Sequence, residues 1–249
     1  MFRPESDYPI PEPGMFPGLK PGDTVVINGS GSGMSCFQAG AEAGQTGRVI
    51  GVDSNAALIS LARELAEADG HKNVSFRHGE TENLPMRSNI ADLVISDSML
   101  NLVQNKDAAL SDIYRILKPG GHFSLMEWVL AEDEAGVLPV AASVSQLQMP
   151  DNTAQITSTA AANLAGAVTQ TEYLRLIAMN GFLKIQAEQL TTKSIVTSFL
   201  HNGKSDSEKS GETLTIKVYK IRISGEKPME AACGLPRSLL NRGSFKPTV

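Results

Sequence analysis

Cysteine is scarce in this chain, with only Cys36 and Cys233 among 249 residues. Two thiols build neither a disulfide scaffold nor a four-ligand zinc site of the usual kind. The four histidines, His71, His78, His122 and His201, show no metal-ligand spacing, so no metal is expected. No apolar run is long enough to span a bilayer. The N-terminus MFRPESDYPIPEPG carries prolines and acids where a secretory leader needs an apolar stretch. There is no basic tract, and the formal net charge is -5, so neither a nucleic acid nor a membrane is an expected partner. These absences leave a cytoplasmic protein with a small-molecule substrate as the default expectation.

At 41% hydrophobic and 20% charged residues, the composition is that of an ordinary globular domain. Residues 1–23, rich in proline and glycine, read as an irregular lead-in. From 24 to 128 short apolar strands alternate with segments of helical spacing. Strands are expected at 24–27, 48–53, 73–77, 91–97 and 122–128, with helices at 34–44, around 58–66 and around 110–117. Lys118-Pro119-Gly120-Gly121 reads as a helix stop and turn. Short βα connections repeated in this way predict an α/β fold, a doubly wound and mostly parallel sheet.

Residues 129–168, rich in Ala, Gln, Ser and Thr, read as a helical cap inserted over one rim of the sheet. Thr169-Gln170-Thr171-Glu172 fits a capping box opening a helix through Met179, which Gly181 ends. Strands near 183–188 and 213–223 complete seven, within a C-terminal part at 169–224. A solvated loop is expected at 201–212, and residues 225–249 form a tail. No internal repeat is visible.

The apolar run Thr24-Val25-Val26-Ile27 leads into Asn28-Gly29-Ser30-Gly31-Ser32-Gly33-Met34. Gly29 and Gly31 let the chain bend tightly and lie close to a ligand. Gly33 lets the next helix approach the strand, and the open N–H groups of that helix start can receive an anion. Asp53 follows Gly33 by twenty residues and ends the second strand, where a carboxylate can accept both hydroxyls of a ribose, with Ser54 beside it. The pair points to a nucleoside-bearing cofactor. Gly79-Glu80-Thr81-Glu82 can lay its backbone along an adenine, with Glu80 accepting from the exocyclic amine or standing in solvent.

Five segments resemble class I S-adenosylmethionine-dependent methyltransferases, and within them the arsenite methyltransferases and their small-molecule relatives. They are LKPGDTVVINGSGSG, TGRVIGVDSNAALISLAR, NVSFRHGETENLP, ADLVISDSMLNLVQNKDAALSDIYRILKPGGHFSLMEWV and AGAVTQTEYLRLIAMNGF. The resemblance implies a Rossmann-like methyltransferase fold and S-adenosylmethionine as cofactor. The positions matching the family's arsenic-binding cysteines carry Ser98 and Asn163, neither of which replaces a thiolate, so arsenite is not the expected substrate. Where the family has an acid near the start of the glycine loop, this chain has Asn28, which can accept a hydrogen bond but cannot pair a charge.

The resemblance places Asn28, Gly29, Ser30, Gly31, Gly33, Asp53, Ser54, Gly79, Glu80, Thr81, Asp97 and Ser98 around the cofactor. Asp97 and Glu127, at the ends of the fourth and fifth strands, are the candidate groups to bind the methionine amine, orient an acceptor or take its proton. Trp128 is a candidate stacking surface. The expected reaction is methyl transfer to a small neutral or aromatic metabolite, achieved mainly by positioning. Two other readings stand beside it. One is a non-methylating enzyme on the same scaffold, performing an elimination, decarboxylation or cyclisation. The other is a non-catalytic partner subunit, with the lead-in and tail as contacts in a homodimer or heteromer.

Overall fold

The computed structural model describes residues 16–134, 147–148, 158–199 and 212–229. Expectations for most of the lead-in, much of the cap, nearly all of the 201–212 loop and nearly all of the tail lie outside the described residues.

Strand β1, Thr24–Asn28, is an apolar run, with its last four residues buried. Such a strand stays in place only when both its faces are covered. It lies between β2, Arg48–Asp53, and β4, Ala91–Asp97, parallel to both. Strand β3, Val74–His78, pairs with β2, and β5, Leu117–Leu130, pairs with β4, again in parallel. The helices α1, Met34–Ala43, α2, Ala56–Ala68, and α3, Lys106–Ile116, form the crossovers.

The C-terminal strands β7, Leu183–Phe199, and β8, Glu212–Glu226, reverse direction. Strand β8 inserts antiparallel between β5 and β7. With the two-residue β6, Leu147–Gln148, the sheet order is β3-β2-β1-β4-β5-β8-β7-β6. The expected sheet of seven strands is therefore present, with a short eighth at its edge. Strand β7 runs well past the expected 183–188, because its β-branched stretch finds a full-length partner in β8.

Lys118-Pro119-Gly120-Gly121 does stop α3, but it is tied down rather than looped out. Gly120 N–H donates to the Lys227 carbonyl at 2.8 Å, and Lys227 N–H returns to Gly121 at 2.9 Å. The pairing of β4 with β5 skips a register step there.

Two apolar cores flank the sheet. Val25, Ile27, Leu93, Ile95 and Met126 face α1 and α2. Val26, Val52, Val94, Leu125 and Val129 face α3 and α5, Gln170–Met179. The capping box forms as expected on its Thr side, with Glu172 N–H donating to Thr169 Oγ1 at 3.2 Å. A further helix, α4, Ser158–Ala165, lies in the cap segment, whose return pairs with β5 through Leu130 N–H to the Val168 carbonyl. Among the described residues no helix is long and apolar enough to cross a membrane.

Candidate active site

The carboxyl ends of β1, β2, β4 and β5 share one rim, and the loops leaving them build the site. After β1 the chain bends with Gly29 at φ +78° and Gly31 at φ +52°, conformations that a side chain strains. Gly29 and Ser30 N–H both donate to the Val52 carbonyl, at 2.8 and 2.9 Å, which pins the bend to the end of β2. A Cβ on Gly31 would meet no atom within 4 Å, so the loop is open on that side. The first turn of α1 has no side-chain cap.

Asp53 is fixed from two directions. Its Oδ2 accepts from Gly31 N–H at 2.8 Å, and its Oδ1 accepts from Asn55 N–H at 2.8 Å. Asn55 in turn caps α2 by accepting from Ala57 and Leu58 N–H. The carboxylate is half-buried at the mouth of the glycine bend, with lone pairs to spare for a diol. Ser54 stands exposed beside it, its carbonyl 2.9 Å from His78 Nε2.

The Gly79–Thr81 turn abuts the same mouth, since Gly79 N–H donates to the Asp53 carbonyl at 3.1 Å. Glu80 stands in solvent, whereas Thr81 turns inward and donates its hydroxyl to Asn28 Oδ1 at 3.2 Å. Asn28 is 2% exposed, and its Nδ2 has no hydrogen-bond partner among the described residues. Ser30 Oγ is buried and lacks a partner in the same sense. Opposite Gly29 lies Met99, whose Cγ and Sδ would collide with a Cβ there.

The structure divides the residues expected at the ends of β4 and β5. Successive strand residues point to opposite faces. Trp128 shares a face with Met126, and Asp97 pairs with Met126 in register. Asp97 Oδ1 accepts from Ser98 Oγ at 2.9 Å and lies 3.5 Å from Lys220 Nζ, so that carboxylate is already balanced. Ser98 itself sits at φ +56°.

Glu127 faces the other way and is fully buried. Its Oε1 accepts from Leu100 N–H at 2.9 Å, while Oε2 has no partner among the described residues. Burial pushes its carboxyl up to about 8 and Asp97 adds to that, while the Leu100 amide, Lys106 and, least of all, the Asn101 backbone amide oppose it. Glu127 and Trp128 therefore do not converge on one point, and Glu127 lies beneath the rim rather than on it.

Three residues outside the expected set complete the surroundings. Asn101 Nδ2 donates to the Trp128 carbonyl at 2.8 Å, and its Oδ1 accepts from the buried Tyr173 hydroxyl. Lys106, at the start of α3, is half-buried, and burial lowers its ammonium. The signal that could have found Tyr173 is its place on the apolar stripe of α5, although a stripe does not tell which phenol meets a polar group.

The glycine bend, the uncapped helix start and the doubly anchored Asp53 fit an adenosyl ligand. Asp53 and Gly31 suit the ribose, and the Gly79–Thr81 turn suits the base. Asn28 and the α1 start suit the amino-acid end.

A family model described as a methyltransferase domain matches residues 19–181. The chain belongs to this family, on a branch related to the arsenite methyltransferases. An arsenite methyltransferase of Halobacterium salinarum is 31% identical over 210 residues, which are 84% of this chain and 49% of that protein. One from Aquipseudomonas alcaligenes is 39% identical over 112 residues, which are 42% of this chain and 32% of that protein. The chain thus spans about half or less of the length of these curated relatives. The crystal structure of an arsenic(III) S-adenosylmethionine methyltransferase from Chlamydomonas reinhardtii superposes with a TM-score of 0.60 at 28% identity, covering 85% of this chain and 65% of that one. The branch's arsenic-binding cysteine cluster is missing here. Among the described residues the one cysteine is Cys36, buried within α1 against the sheet, its thiol pushed up by that burial.

Proposed function

We propose that this protein transfers a methyl group from S-adenosylmethionine to a small neutral or aromatic metabolite. The observation that carries the reading is Asp53, bonded at once to Gly31 and Asn55 and so presented rigidly at an open glycine bend. Bound there, S-adenosylmethionine would supply an electrophilic methyl on a sulfonium centre.

The work left to the chain is placement. Gly31, open on its Cβ side, admits a close approach of the ligand, Asp53 holds the ribose, and Glu80 or the turn around it meets the base. Residues 129–168 act as the cap that excludes water and shapes the acceptor pocket, while 24–128 act as the cofactor-binding core. Asp97 with Ser98 and the Trp128 ring border the acceptor side. Arsenite is set aside as substrate because Ser98 and Asn163 stand where thiolates are required.

Calorimetric titration with S-adenosylhomocysteine and S-adenosylmethionine tests the reading. Saturable binding is expected, weakened at least about tenfold in Asp53→Asn, which keeps the shape but cannot accept from both a diol and Gly31 as a carboxylate does. Unchanged affinity in that variant rejects the ribose assignment. Absence of binding rejects the function.

A further inference from the structure

Three buried polar atoms with no hydrogen-bond partner among the described residues lie on one face of the sheet: Asn28 Nδ2, Ser96 Oγ and Glu127 Oε2. Asn28 on β1 is directly opposite Ser96 on β4, and Ser96 is directly opposite Leu125 on β5, two residues before Glu127. Residues opposite one another in parallel strands point the same way, as do residues two apart on one strand. Asn28, Ser96 and Glu127 are 2%, 0% and 0% exposed. They form a polar seam across three adjacent strands, beneath the rim and against the α3/α5 core. Unsatisfied buried polar atoms cost free energy, and three in one row call for an explanation that one alone does not.

The seam begins at the floor of the cofactor site and ends at a carboxyl group. The beginning is Asn28, whose carbonyl oxygen is engaged by Thr81. The neutral amide gives a cationic ligand no counter-charge. We infer, resting on the cofactor reading above, that Glu127 supplies this counter-charge from within, losing its proton when the cationic cofactor binds, with Asn28 and Ser96 as the polar link between them. The step is a plain ionisation: the carboxylic acid gives its proton to solvent and becomes a carboxylate, and no bond other than O–H changes.

The groups facing Glu127 favour this two-state behaviour. Leu100 N–H holds Oε1 in either state, and the neighbouring Asn101 backbone N–H also favours the ionised form. Lys106 on α3 attracts the ionised form, whereas Asp97 on β4 disfavours it until a cation arrives. On α5 the Tyr173 hydroxyl is committed to Asn101 and stays protonated, since burial and Glu127 both raise it. Lys220 on β8 is engaged with Asp97. In the free protein burial keeps Glu127 largely neutral near neutral pH. The device also discriminates: S-adenosylmethionine carries a net positive charge, while S-adenosylhomocysteine is a neutral zwitterion. Ionised Glu127 therefore favours the substrate form of the cofactor over its product.

Calorimetry of the full chain in two buffers of different protonation enthalpy reads the proton directly. With S-adenosylmethionine at about pH 7, release approaching about one proton per binding event is expected, fading at about pH 9 where the free protein is already ionised. S-adenosylhomocysteine should release clearly less. Glu127→Gln, which keeps the shape and the Leu100 bond, should abolish release and lower the preference for S-adenosylmethionine. Ser96→Ala should reduce release while Glu127 remains. Wild-type binding whose enthalpy is independent of buffer near neutral pH overturns the inference, as does undiminished release in Glu127→Gln. Undiminished release in Ser96→Ala overturns the role of the seam. If neither ligand binds, the failure belongs to the cofactor reading itself and is read as a missing binding isotherm rather than a missing proton.

Discussion

Glu127 makes the stability of the free protein depend on pH in an unusual direction for an acid. Its carboxyl titrates near 4.5 when unfolded and is pushed up to about 8 by burial in the fold. Between those values the native state holds a proton that the unfolded state has lost, so stability falls as pH rises through the window. Thermal melts are expected to show a declining Tm from about pH 5 to about pH 8, and Glu127→Gln should flatten most of that decline. A Tm that instead climbs across the range in the wild type, unaltered in the variant, would place the carboxylate in a charged state throughout. Asn28→Asp is the complementary change: restoring an acid at the floor, where the amino-acid end common to both ligands is placed, should tighten S-adenosylmethionine and S-adenosylhomocysteine binding alike by up to about tenfold, as measured by titration. Asp53 was legible in the sequence because a strand-ending acid at a fixed distance from a glycine bend has few other placements. The depth of Glu127 was not, because whether a strand-end acid faces solvent or the core depends on which helix covers that face.

The elements that shape the site meet in the loop after β4. It carries Met99 onto Gly29 and Leu100 onto Glu127, and it sends Asn101 between the Trp128 carbonyl and the Tyr173 hydroxyl of α5. Tyr173→Phe leaves the buried Asn101 Oδ1 without that donor, so a loss of about 1–3 kcal/mol is expected in denaturant melts, with an unchanged m-value. Gly29→Ala meets both a positive φ and the Met99 side chain. It should cost about 1–3 kcal/mol, partly recovered by adding Met99→Ala, and a purely additive pair would show that the two do not touch. Strand and helix positions were readable from periodicity, and the capping box from Thr169 and Glu172. The loop's contacts were not, because they join residues 27 to 72 positions apart that no local pattern links.

At the scale of the whole molecule, the rim opposite the candidate site is tied together by one lysine. Lys227 lies at the amino-terminal end of the parallel strands, where its Nζ donates to Asn89 Oδ1 at 2.7 Å, the Tyr114 carbonyl at 3.0 Å and the Leu117 carbonyl at 2.8 Å, and rests 4.7 Å from the Tyr114 ring centre. Replacing it with Met should lower stability by about 1–2 kcal/mol in denaturant melts. Cofactor affinity should stay within about twofold, because the two sites share no partner. The parallel half of the sheet followed from the alternation of strand and helix, whereas the place of the last strand did not, since a strand pattern does not say between which neighbours it will settle.

That placement has a consequence for how the molecule is made. Strand β8 is the last described strand to leave the ribosome, yet it is wedged between β5 and β7, with Ile221 and Ile223 in the same core as Phe123 and Leu125. Until it arrives, β5, which carries Glu127, exposes an unpaired edge in the nascent chain. Synthesis must therefore run nearly to the described end before β5 and β7 can be joined in one sheet. A premature stop ahead of residue 212 would leave a gap between β5 and β7 rather than trim the sheet's margin.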